Sequence, residues 1–177
     1  EEKMQTALGA GGAVVGCNSG TDALMLALIA GGVKAGDEVV TVSHTAIPTL
    51  TAICATGATP IFVDIDPQTW LIDPKKLGAL LTSRTRAVVP VHLYGNVVDV
   101  SAIEQVLNQA GRSDVFVVED VAQAQGAAFN GKSAGTLGRF GAFSFFPTKN
   151  LGALGDGGAI YAREAGDGEK LRMLRFY

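Results

Sequence analysis

The chain is poor in the side chains that hold metals. It has two cysteines, Cys17 and Cys54, and two histidines. No CxxC pair and no Cys/His ligand spacing is present, which argues against a metal centre. Both cysteines lie in apolar stretches and are expected as small core residues with free thiols, as suits a reducing cytoplasm. No apolar run approaches the ~20 residues of a membrane span. Glu1-Glu2-Lys3-Met4 has none of the pattern of a secretory signal. Positive charge is also scarce: 14 Lys and Arg stand against 17 Asp and Glu, a net charge of -3. Without a basic cluster carrying interleaved aromatics, a nucleic-acid surface is unsupported. No P-loop, internal repeat or low-complexity segment occurs. What remains is 177 residues, 47% hydrophobic and 18% charged, a composition suited to one globular α/β domain with a large core.

Strand-like and helix-like stretches alternate. The apolar runs 13–17, 38–42, 60–64, 85–91 and 114–119 read as strands, and 141–145 and 158–162 as two more. Helices are expected over 19–29, 47–56, 73–81 and 99–110, with Gly31-Gly32, Gly57 and Gly111 as stops and Asp73-Pro74 as a start. Asn130-Gly131 marks a hairpin turn. Short parallel-type strands with intervening helices imply a sheet covered on both faces. Right-handed crossovers then put the functional site at the strands' carboxyl ends.

Two residues at such ends stand out. Val115-Phe116-Val117-Val118 delivers Glu119-Asp120-Val121-Ala122-Gln123, and a second strand is followed by Pro147-Thr148-Lys149-Asn150-Leu151-Gly152. A buried acid with a lysine nearby is what pyridoxal phosphate (PLP) requires. The lysine can hold the cofactor as a Schiff base, and the acid can keep the pyridine nitrogen protonated. A third element, Asn18-Ser19-Gly20-Thr21-Asp22, opens the first long helix. Its free N–H groups are suited to an anion, or Ser19 is simply an N-cap.

With these motifs the chain, from about Gly16 to Tyr177, resembles the DegT/DnrJ/EryC1/StrS family of PLP-dependent sugar aminotransferases. The resemblance implies a three-layer α/β fold of the aspartate-aminotransferase type (PLP fold type I), with a mainly parallel sheet. Residues 1–177 would then be the PLP-binding large domain, truncated at both ends and lacking a C-terminal small domain. The resemblance makes Lys149 the catalytic residue. It gives Gly20, Thr21 and Ser144 to the cofactor phosphate, Asp120 to the ring nitrogen and Gln123 to the phenolic oxygen. Ala46 occupies the position of the usual ring-stacking aromatic, so His44 is the candidate plate, or else a hydrogen-bonded loop histidine. His92 and Tyr94, in Pro90-Val91-His92-Leu93-Tyr94-Gly95, either line the substrate side or pack the loop. Trp70, Asp64 and Asp66 read as structural, the tryptophan covering the core.

The implied substrates are a nucleotide-linked keto sugar and an amino-acid donor, L-glutamate by expectation, with a homodimer completing the site. Ser43-His44-Thr45-Ala46 hints at dTDP-linked 3-keto-6-deoxyhexoses. Having Lys149, where the family's dehydratases carry His, points to transamination. The rivals are another PLP fold type I enzyme such as a lyase, and a regulatory relative without turnover.

Overall fold

In the computed structural model, which describes residues 1–176, the apolar runs do become strands. β1 (Ala13–Cys17), β2 (Glu38–Val42), β3 (Thr59–Val63), β4 (Thr85–Val89), β5 (Phe116–Asp120), β8 (Phe140–Ser144) and β9 (Gly158–Ala162) form one seven-stranded sheet in the order β1-β9-β8-β5-β4-β2-β3. β3, β2, β4, β5 and β8 pair in parallel, whereas β9 is antiparallel to both its neighbours. β1 therefore runs with the majority, and β9 alone is reversed. Between β5 and β8 a small hairpin, β6 (Ala128–Phe129) and β7 (Lys132–Ser133), turns at Asn130 and Gly131, both at positive φ.

Alternation along each strand sends successive side chains to opposite faces. Val15, Val39, Ala87, Val89 and Val118 join the cluster built on α2 (Gly20–Gly31), α3 (Ile47–Ala55) and α6 (Ala165–Phe176). Val40, Val88 and Val117 join another with Leu77 of α4 (Pro74–Leu77) and with Ile103 and Leu107 of α5 (Val100–Gln109). A third cluster gathers Val14, Tyr161 and Phe143 beside Met4 and Leu8 of α1 (Glu2–Leu8). Helices on both faces give the expected three layers. α2 is the central helix: Ala23, Leu24, Leu26, Ala27, Leu28 and Ala30 are all buried, because both the sheet and its neighbouring helices cover it.

Several expectations needed correction. α1 was not foreseen; Met4 and Leu8 supply its apolar face and Gly9 ends it at φ 63°. The helix expected over 73–81 stops at Leu77 and tightens into a 3-10 turn over Gly78–Leu80. The strand expected to reach Val91 ends at Val89, before Pro90, which has no N–H to give the ladder. Cys54 is exposed and not a core residue, whereas Cys17 is partly buried against the α2 cluster; both thiols are free. Burial pushes the Cys17 thiol up to about 11. Trp70 is 54% exposed and does not cover the core. Tyr177, placed in the terminal helical pattern, lies outside the described residues.

Candidate active site

The carboxyl ends of the co-directional strands share one edge of the sheet, and the loops leaving β1, β2, β5 and β8 converge there. Between them is a cavity of about 310 Å³ whose lining includes Gly20, Thr21, Thr49, Asp120, Ser144 and Lys149. The chain contributes these residues from five separate stretches, so the site exists only in the folded protein.

One end of the cavity is the start of α2. Ser19 is its N-cap, with extended backbone and a side-chain oxygen accepting from the Asp22 N–H at 3.0 Å. The following turn leaves backbone N–H groups without intrahelical partners, and the helix dipole adds positive potential. Gly20 is there because of what it faces: a Cβ on it would lie 2.5 Å from Ser144 Cβ, at the end of β8. Gly158, opening β9, is constrained similarly, since its Cβ would meet Ser19 O at 2.3 Å. The helix start is thus wedged against two strand ends, which places Thr21 and Ser144 on one cavity.

Asp120 ends β5 and is 5% exposed. Its Oδ1 accepts from the Ala122 N–H at 3.1 Å and its Oδ2 from the Thr49 hydroxyl at 2.9 Å. Burial pushes the carboxyl above its ordinary range, while these two hydrogen bonds pull it back toward ionisation. A buried acid of this kind gains most from a cationic N–H donor in the cavity it faces.

Lys149 belongs to a loop that folds back on β8. Its N–H donates to Phe146 O at 2.8 Å, and Ala153 and Phe145 close the loop through Ala153 N–Phe145 O and Phe145 N–Gly157 O, both 2.7 Å. The side chain is half-buried and lines two hollows: the one holding Asp120, and a second of about 490 Å³ shared with Tyr94, Gly95, Gln123 and Asn150. Gln123 is held by accepting the Tyr94 N–H on Oε1 at 3.1 Å.

The two histidines lie elsewhere. His44 packs between Trp70, at a ring-centroid distance of 5.5 Å, and Tyr94, at 6.0 Å. It is outside the lining of the Asp120 cavity, whose apolar wall includes Ala46 and Pro48. His92 is completely buried and does not reach a substrate surface. Its Nδ1 accepts from the Val98 N–H at 3.0 Å, so Nε2 carries the proton given to Glu119 Oε2 at 2.7 Å. Glu119, also fully buried, accepts in addition from the N–H groups of Gly135, Leu137 and Gly138. Asp66 does serve a turn, accepting from Gln68 N, and Asp64 pairs with Lys76 at the surface. Sequence reasoning missed both Thr49 and the structural task of Glu119. Among the described residues no group of His, Cys, Asp and Glu is placed to hold a metal ion, and no helix is long and apolar enough to cross a membrane.

Comparison with known proteins agrees with this geometry. Residues 1–177 match the model of the DegT/DnrJ/EryC1/StrS aminotransferase family. A dTDP-3-amino-3,4,6-trideoxy-alpha-D-glucose transaminase from Micromonospora megalomicea subsp. nigra is 48% identical over 163 residues, 92% of this chain and 43% of that protein. A pleiotropic regulatory protein from Geobacillus stearothermophilus is also 48% identical, with the same shares covered. The crystal structure of S. venezuelae DesV in complex with a ketimine intermediate superposes with a TM-score of 0.93 at 43% identity, covering 100% of this chain and 47% of that one. The chain therefore spans less than half the length of the relatives it matches.

Proposed function

The chain belongs to the DegT/DnrJ/EryC1/StrS aminotransferase family, and from that premise we propose that the complete protein is a PLP-dependent sugar aminotransferase. It moves an amino group from an amino acid, L-glutamate in this reading, to a nucleotide-linked keto sugar. A dTDP-linked 3-keto-6-deoxyhexose is the favoured acceptor, given the transaminase relative and the Ser43-His44-Thr45-Ala46 stretch. The protein works as a cytoplasmic homodimer, and residues 1–177 form most of its cofactor-binding large domain. One observation carries the reading: Lys149 and Asp120 face the same cavity as Gly20, Thr21 and Ser144.

The residues present fit the cofactor that the family's aminotransferases use. Asp120 offers a buried carboxylate to a protonated ring nitrogen. The start of α2 with Thr21 and Ser144 offers N–H and O–H donors to a phosphate. Ala46 and Pro48 offer an apolar wall to a ring. When bound, PLP supplies an electrophilic carbon for amine capture and an electron sink for the bond that breaks. Asp120 holds the proton on the ring nitrogen. Lys149 would hold the cofactor covalently through its amine, and the same amine, when free, would serve as general base and then general acid for protons at the reacting carbons. Gln123, whose Oε1 is already taken by Tyr94, keeps its amide N–H groups for the cofactor's phenolic oxygen. The hollow on the other side of Lys149, toward Tyr94 and Asn150, is the approach for the substrate amine.

A regulatory protein without turnover is the second reading, favoured by the name of one 48% identical relative; an intact Lys149–Asp120 pair argues against it. Borohydride reduction of the full-length protein with PLP, followed by peptide mapping, should label Lys149. A label on Lys132, or none, overturns the assignment. Mass spectrometry of products from glutamate and a panel of nucleotide keto sugars then separates transamination from elimination and from regulation.

A further inference from the structure

Three other threonine hydroxyls, two in helices and one at the C-cap of α3, show what this side chain ordinarily does. Thr51 returns its hydroxyl to Ile47 O at 3.2 Å, Thr6 to Glu2 O at 3.0 Å, and Thr56 to Ile53 O at 2.7 Å. Each bonds the backbone three or four residues earlier. Thr49, on the same helix as Thr51, behaves differently. It is 1% exposed, and its hydroxyl crosses 71 positions of sequence to reach Asp120 Oδ2 at 2.9 Å. On its other side Thr45 Oγ1 lies 2.8 Å away. An ionised carboxylate only accepts, so with Asp120 charged the direction is fixed: Thr45 donates to Thr49, and Thr49 donates to Asp120. Thr49 also lines the cavity that Asp120 and Lys149 share.

We propose that Thr49 is a positioning residue for Asp120, with Thr45 behind it. Its hydroxyl, with the Ala122 N–H on the other oxygen, fixes the plane of the carboxylate and stabilises its charge, leaving the remaining lone pairs to a cationic N–H in the cavity. The proposal rests on the reading of this cavity as a PLP site. Thr49 touches no reacting atom; it acts through Asp120. Buried in low dielectric, the hydrogen bond is stronger than it would be in water, and leaving Asp120 one donor short is costly.

The test uses full-length protein and reads PLP affinity across pH, by absorbance titration, in wild type, Thr49→Ser and Thr49→Val. Valine has nearly the same shape but no donor. Thr49→Val should weaken PLP binding about tenfold to a hundredfold near neutrality, the value of one hydrogen bond to a charged group. It should also move the acid limb of the affinity profile upward, because Asp120 then takes its own proton at higher pH. Thr49→Ser, which keeps the hydroxyl, should lie within about threefold of wild type. The other titratable groups around Asp120 are Lys149 and His92, with Asp156 on the same cavity; they are common to all variants and cancel in the comparison. Equal affinities and equal limbs for Thr49→Val and wild type overturn the proposal. If Thr49→Val fails to fold, Thr45→Val carries the test: it should shift the limb in the same direction by less, and no shift overturns the proposal. Wild type that binds no PLP through Lys149 would instead overturn the reading of the cavity, leaving the two failures distinct.

Discussion

Asp120 holds a charge where charge is expensive. Its carboxyl is raised by burial in the folded chain, so it takes up protons more readily folded than unfolded. The sign follows: above the raised value the ionised group costs the cofactor-free protein stability, and this cost shrinks as pH falls below that value and is gone only below the carboxyl's ordinary, unfolded value. Asp120→Asn removes the cost, because the amide can accept from Ala122 on its oxygen and donate to Thr49 from its nitrogen. Cofactor-free Asp120→Asn should melt about 2–4 °C higher than wild type near neutrality, and the gap should close as pH is lowered. The same variant should lose ~10²–10⁴-fold in single-turnover transamination, since a neutral amide holds a ring proton poorly. Near-wild-type turnover would refute the role. At this scale the sequence was informative where a residue ends or closely follows a strand: Asp120 closes β5 and Lys149 lies in the loop after β8, and the apolar runs before them drew attention to both. Thr49 and Glu119 gave no such signal, because each acts through partners far away in sequence. For His44 and His92 the sequence left two readings each, because a histidine in a loop looks the same whether it lines a cavity, packs against aromatics or is sealed in the core.

The seven strands of the main sheet and helices α2, α3 and α5 were legible to within about two residues, because glycine stops and apolar alternation are local properties; α1 and the early end of α4 were not. The direction of β9 was not: a five-residue apolar run reads the same both ways, and only its partners decide. The start of α2 shows how an element is fixed by what it touches. Gly20→Ala would push a methyl to 2.5 Å from Ser144 Cβ, and overpacking of this kind costs about 1–3 kcal/mol. It would also lever the helix's N–H groups out of line, so PLP affinity should fall about tenfold or more. Gly16→Ala, one turn of chain away in β1, is the matched control. Its nearest neighbour would be Glu1 Oε1 at 3.8 Å, ordinary contact, and its stability should stay within about 0.5 kcal/mol of wild type. Thermal melts and PLP titrations of the two full-length variants, side by side, check both expectations.

At the scale of the whole molecule, Glu119 ties distant segments together. It fastens β5 to the 135–138 turn through three backbone N–H groups, and to the loop after β4 through His92. Each oxygen serves two donors, so in Glu119→Gln the new amide N–H₂ must confront two N–H groups whichever way it is turned. With two buried donors orphaned at ~1–3 kcal/mol each, the variant should lose about 2–5 kcal/mol, read by chemical denaturation. A loss under half a kcal/mol would mean the tie is slack. The reversed strand β9 has a different consequence, one of timing. In the sheet β1 neighbours β9 alone, so Ala13–Cys17 pair with Gly158–Ala162 across nearly the whole chain. Closing so long a loop is slow relative to local contacts. During synthesis β1 and the helix start that follows it emerge well before β9, and β1 waits as an unpaired edge until Gly158–Ala162 have been made. The Gly20 end of the cavity, wedged against Ser144 and Gly158, is therefore assembled only after those later strands are made, although its own residues precede them in the sequence.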